Sequence, residues 1–206
     1  MELLAGACGL VAFATFNLGW ILGDLSQRPA FSPSRDDISY LGAVTAKSPW
    51  LYDRLAANAS GVLIVLLAMG LWRALSPSRL GRLGAATLAA TGVGMFLDGI
   101  FRLDCQPIDD GCSNHSWHSH AHRIESDFTV GFTFVSILLL AVAFRRQPRW
   151  RDSWLPVIAA LPAVVVVNAA LSAVGSAAAT RAGTVVVLAV VAFIGFELVR
   201  HADARG

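Results

Sequence analysis

The 206-residue chain carries 16 Lys+Arg against 14 Asp+Glu, a formal net charge of +2. Hydrophobic residues make up 55% and charged residues only 15%, well under the ~25% usual in soluble domains. A balance so near neutrality gives no electrostatic footprint for nucleic-acid binding. The charges fall in clusters between long uncharged runs, the pattern of an integral membrane protein.

Six runs approach the roughly 20 apolar residues that a helix needs to cross a bilayer. The first covers about residues 3–22. It starts at once after Glu2, with no basic leader and no small-residue cleavage site, so it reads as a permanent span. Cys8 within it reads as a packing residue. Gly19 and Gly23 stand four apart, and Gly92 and Gly94 sit among alanines in the third span; small residues let membrane helices approach closely. The second span covers about 55–75 and opens with Asn58 and Ser60. The third, about 83–101, carries Asp98 within a turn of its outer end, with Arg102 four residues on at the spacing of a helical ion pair. The fourth covers about 127–144, the fifth about 155–175 with Pro156, Pro162 and Asn168, and the sixth about 183–200 with Glu197. Runs this long and continuous exclude barrel strands, which alternate in and out. The expected fold is all-α: one polytopic bundle of six transmembrane helices, a single domain over residues 1–206.

The loops orient the bundle. Arg73, Arg79 and Arg82 lie between the second and third spans, Arg145, Arg146, Arg149 and Arg151 between the fourth and fifth, and Arg200 and Arg205 in the tail. The positive-inside rule puts these, and both termini, in the cytoplasm. The opposite loops mix their basic residues with Asp24, Asp36, Asp37, Asp53, Asp104, Asp109, Asp110 and Glu125. Trp20, Trp50 and Trp117 fall near one expected interface and Trp72, Trp150 and Trp154 near the other, as two aromatic belts.

Polar groups inside spans are costly and so point to function. Asn17, Asn58, Ser60, Asp98 and Asn168 lie toward the outer ends of their spans. Wet helix ends account for Asn58 and Ser60; they account less well for Asp98 and Asn168. The stretch "NHSWHSHAHRIESD" (114–127) leads into the fourth span at the same level and holds four of the five histidines. If helical, it sets His115, His118, His122 and Glu125 on one face, with His120 pointing elsewhere. His118 and His122 form an H-x-x-x-H pair that can chelate a divalent metal such as zinc, a further ligand coming from Asp98, Asp104, His115 or Glu125. A proton-handling site without metal and a merely solvated loop are the competing readings. Cys105 and Cys112, on the outer side, are expected to close a small loop as a disulfide; thiolate metal ligation is the alternative.

"DISYLGA" (37–43), "GVGMFLDGIFRLD" (92–104) and "HSHAHRIESDFTVGF" (118–132) together resemble the DUF998 family of bacterial and archaeal membrane proteins. The resemblance implies six helices in a prokaryotic plasma membrane and assigns no function. It picks out Ser39, Gly42, Gly99, Phe101 and Asp104, with His118 or His122 as the family histidine. The chain departs from that pattern in having Arg102 where the family has proline, and in a longer, histidine-richer loop with two cysteines. A looser similarity in residue types links Ser39, Asp104, His118 and His122 to the alkaline ceramidase-like membrane hydrolases, whose last-helix H-x-x-x-H is absent here.

Two functional readings follow. One is a hydrolase that uses a metal held by His118, His122 and Asp104 or Asp98, with Ser39 nearby, on a lipid-like amide or ester. The other is a non-enzymatic membrane module that binds a lipid or protein partner or senses pH through its histidines. Both have the lipid bilayer as partner, and neither sets an oligomeric state.

Overall fold

The computed structural model describes residues 1–203. Six helices long and apolar enough to cross a membrane make up the bundle. They are α1 (Glu2–Ser26), α2 (Leu51–Ala74), α3 (Arg79–Asp98), α4 (Trp117–Arg146), α5 (Trp154–Leu171) and α6 (Ser176–Asp203). Short 3₁₀ turns, Ile38–Gly42 and Pro148–Ser153, lie before α2 and α5. The described residues hold no strand.

Each helix packs on its neighbours in chain order, and α6 returns to α1, so the helices close into a ring. Gly6 at the start of α1 lies against Gly195 and Val199 near the end of α6. Both termini are therefore at one end of the bundle, with the arginine-bearing loops. The other end holds the long 27–50 and 99–116 connections.

Close backbone approach is what makes the ring tight, since lipid supplies no hydrophobic drive between helices. A Cβ on Gly61 would stand 2.5 Å from the Gly92 carbonyl and 2.6 Å from the Phe96 nitrogen. Gly19 meets the α2 backbone in the same way, at Ala56 and Leu51. Gly94 faces Thr129 and Gly23 the Leu41 side chain, so the small residues serve packing.

The helix starts follow local chemistry. Ser78 accepts a hydrogen bond from the Gly81 N–H at 3.1 Å and caps α3. Ser116 accepts from the Ser119 N–H at 3.2 Å and caps α4, satisfying donors that a helix start leaves open. That second cap lengthens α4. Helix begins at Trp117, not at residue 127 where the apolar run starts, and so it includes His118, His120, His122 and Glu125. α3 stops at Asp98, three residues short of the expected end, and α2 starts at Leu51, four residues early. The first nine residues of α2, Leu51–Ala59, are wound as π-helix, a rare form that is frequent at functional sites.

Trp150 departs from the expected belt. It is buried, stacked on Phe144 with ring centroids 4.8 Å apart. α5 is the least enclosed helix, and Val157 and Ala160, both near its start, are its buried residues.

The loop end is tied down by polar contacts. Cys105 and Cys112 form a disulfide. The fully buried Gln106 donates to Gln27 Oε1 and to the Tyr40 carbonyl at 3.0 Å each, and accepts from Arg28 at 2.9 Å. Arg181 of α6 grips Asp24 of α1 through two nitrogens, at 3.0 and 3.3 Å, and donates to the Asp36 carbonyl at 2.8 Å. Both side chains are buried. Removing one partner of a buried pair strands the other charge. Asp24→Leu is therefore expected to cost about 3–5 kcal/mol, read as a large drop in thermal midpoint. Asp24→Leu combined with Arg181→Leu should recover most of that drop. A double variant no more stable than the single one would contradict the assignment.

Candidate functional site

The site forms where α3 ends and the first turns of α4 pass it. Asp98 is the last residue of α3, and His122 and Glu125, three apart, share the face of α4 that meets it. Asp98 Oδ1 lies 3.2 Å from His122 Nδ1. The same nitrogen is 2.9 Å from the Phe101 carbonyl. One ligand-type atom from each of Asp98, His122 and Glu125 lies within 4.8 Å of the others. Glu125 accepts a hydrogen bond from Thr129 at 2.6 Å through Oε1. Its other oxygen, Oε2, is buried with no hydrogen-bond partner.

A hydroxyl relay completes the group. Ser39, in the Ile38–Gly42 turn, donates to the Tyr52 hydroxyl, which donates to Asp98. Tyr52 reaches Asp98 from the π-wound start of α2. The next residue, Asp53, pairs with Arg102 at 3.1 Å. Arg102 also donates to the carbonyls of Gly42 at 2.8 Å and Ala43 at 3.1 Å. It therefore makes no ion pair with Asp98, and His122 takes that place. Gly42 is needed because a Cβ there would land on the Asp53 carboxylate; a Cβ on Gly99 would stand 2.5 Å from Asn58 Nδ2.

The expected site residues divide. Asp98, His122 and Ser39 come together around Tyr52, with Glu125 joining them. His118 does not join them. Its ring lies on Trp117 with centroids 3.7 Å apart and beside Phe101 at 6.3 Å. His115 lies outside the helix and is exposed, and His120 Nδ1 meets the Ser116 carbonyl at 2.9 Å. Asp104 organises the loop: it accepts from the Ser116 N–H at 3.0 Å, while its own N–H donates to Asn114 and Ser119. The Ser116 side chain and N–H hold its carboxyl below the usual range. Asn58 is structural, donating to the Phe96 carbonyl at 2.6 Å and accepting from Arg54. Sequence reasoning missed Tyr52 and Asp53 because they precede the apolar run. The available signal was Leu51, Leu55 and Ala59, which carry the helical spacing back through them.

An apolar cavity of about 340 Å³ opens below this polar group, lined from all six helices. Asp98, Glu125, Tyr52 and Ser39 are in its wall.

The profile of a family described as "Protein of unknown function (DUF998)" matches residues 7–199. The chain belongs to the DUF998 family. No curated protein and no solved structure matches it. Segments that first suggested DUF998 meet at the site: Ser39 at Tyr52, the Gly42 carbonyl at Arg102, and the Phe101 carbonyl at His122.

The loop above the site carries a pH dependence. Asp109 is held below the ordinary value of 3.8 by hydrogen bonds from Thr45 and Arg28, with Gln106 N–H adding a third. The folded chain thus binds this proton less readily than the unfolded one. Its contribution is full at neutral pH and is lost as pH falls through and below the ordinary value. The thermal midpoint is expected to fall between about pH 5 and about pH 3, and to fall less steeply in Asp109→Asn. Equal slopes in both proteins would refute this role.

Proposed function

We propose that this DUF998 protein holds a divalent cation between Asp98, His122 and Glu125 and uses it to hydrolyse the polar linkage of a membrane amphiphile. The observation that carries this reading is the buried, unpartnered Glu125 Oε2 beside Asp98 and His122. Two carboxylates in an apolar bundle are costly without positive charge. Arg102 is committed to Asp53, so His122 is the basic side chain facing Asp98. The C-terminal end of α3 adds partial negative charge at the same point. One imidazole and two carboxylates suit zinc or a similar first-row ion.

The positive-inside rule puts the arginine end in the cytoplasm and the site in the outer half of the bilayer, and the family resemblance implies a prokaryotic plasma membrane. A bound cation would polarise an ester or amide carbonyl and lower the pKa of a bound water. The protein groups do the rest. The Phe101 carbonyl fixes the His122 ring, as outer-shell acceptors do for metal-binding histidines. Tyr52, held by Ser39, orients Asp98. Water adds across the acyl bond and releases an acid and an alcohol or amine. Phe101, Trp117 and His118 pack on one another about a turn from His122.

A second reading rests on the same carboxylates. Asp98 and Glu125 can receive an amine headgroup directly, so that the protein binds such a lipid without turnover.

Metal analysis of protein purified in mild detergent tests the first reading. Wild type is expected to carry a stoichiometric divalent metal, and His118→Ala to keep it. His122→Ala and Glu125→Gln should lose it, and Tyr52→Phe should weaken affinity by about 10- to 100-fold. Cleavage of a fluorescent long-chain amide or ester should track metal content. A metal-free wild type that binds a long-chain amine, with binding lost in Glu125→Gln, would replace this reading with the second.

A further inference from the structure

The cavity below the polar group differs from a simple packing gap in depth, wall chemistry and opening. Its upper wall holds Ser39, Tyr52, Asp98 and Glu125, and its lower wall Leu88, Ile137 and Ile194. From Asp98 to Leu88 is ten residues and from Glu125 to Ile137 twelve, which at 1.5 Å per residue is about 15–18 Å. Half of a bilayer's hydrocarbon core is about 15 Å. The cavity is thus one leaflet deep. Its volume of about 340 Å³, drawn out over that length, leaves a cross-section of about 20 Å², the breadth of one extended hydrocarbon chain.

The wall is apolar in effect. The hydroxyls of Thr133, Thr180 and Thr184 donate to carbonyls one turn back in their own helices, at 2.7, 3.1 and 2.9 Å. Thr91 does the same at 3.2 Å. The unpartnered buried oxygen in the wall is Glu125 Oε2, at the top. No lysine or arginine lines the cavity among the described residues.

The opening faces the bilayer. Val130 and Phe134 of α4 line the cavity and yet are 54% and 38% exposed. Across from them α5 contributes Val164 and Asn168, from the half of that helix with no buried residue. The α4–α5 seam is thus open over the same half of the bundle that holds the polar group.

We infer that the cavity takes one hydrocarbon chain of a membrane amphiphile, admitted sideways through the α4–α5 seam from a single leaflet, with an uncharged amide- or ester-type head against Tyr52 and Glu125. An anionic phosphate head is disfavoured because no lysine or arginine faces it. The placement of the head rests on the proposed function; the chain channel does not.

Photo-cross-linking with N-palmitoylethanolamine carrying a diazirine at the chain terminus tests this in full-length protein. The expected labels are on Leu88, Ile137 and Ile194. A diazirine near the head should instead label Tyr52 or Glu125. Val164→Trp, which places a bulky ring in the seam, should cut tail labelling by about tenfold, the factor that a cost of about 1.4 kcal/mol gives, and should leave metal content intact. Val165→Trp, on the 68% exposed side of α5, should leave labelling unchanged and also reports whether α5 tolerates the ring. Tail labels that persist in His122→Ala would separate the channel from the metal reading. Tail labels on the outward residues Val165, Val166 and Phe128, or equal labelling in the two tryptophan variants, would overturn the inference.

Discussion

Two carboxylates and one imidazole meet inside an apolar helix ring, and much of the surrounding architecture serves to hold them there. Asp98 and Glu125 repel one another across a medium of low dielectric, and hydrocarbon cannot solvate either. The fold answers Asp98 with two contacts, His122 from α4 and Tyr52 from the start of α2, and Ser39 in turn holds Tyr52. Glu125 receives one donor, Thr129, for its two oxygens. That imbalance at Glu125 is the observation on which the proposed cation site rests.

The surroundings follow from that arrangement. The π-wound opening of α2 brings Tyr52 and Asp53 to neighbouring positions, the first on Asp98 and the second on Arg102. Arg102 then clips the Ile38–Gly42 turn through two carbonyls, which keeps Ser39 over Tyr52. Gly42 and Gly99 allow these segments to approach without side chains between them. Asp104 and the disulfide shape the loop that delivers α4, so the cap at Ser116 and the position of His122 are set by the same few contacts.

The six spans were legible in the sequence because bilayer thickness imposes a length that hydropathy records directly. The disulfide was legible from the compartment and the cysteine spacing. The site was legible in part. Depth within the spans singled out Asp98, and helical spacing grouped His122 with Glu125. His118 belonged to that same periodic face, yet periodicity describes a direction and not a neighbour. Whether a ring on that face meets a carboxylate or an indole depends on where α3 ends and on Phe101, and both are tertiary facts. Tyr52 and Asp53 were hidden because hydropathy sees the start of the apolar run, whereas the helix starts a turn earlier. The apolar cavity has no sequence signature at all, since its wall residues are ordinary membrane-helix residues.

Asp98, His122 and Glu125 are proposed to share a cation within the membrane. X-ray absorption at the metal edge of the purified protein reads that shell directly. A shell of oxygen and nitrogen with the back-scattering of a single imidazole is expected, altered in His122→Ala and unchanged in His118→Ala. A spectrum with no metal edge, or one insensitive to His122, would contradict it.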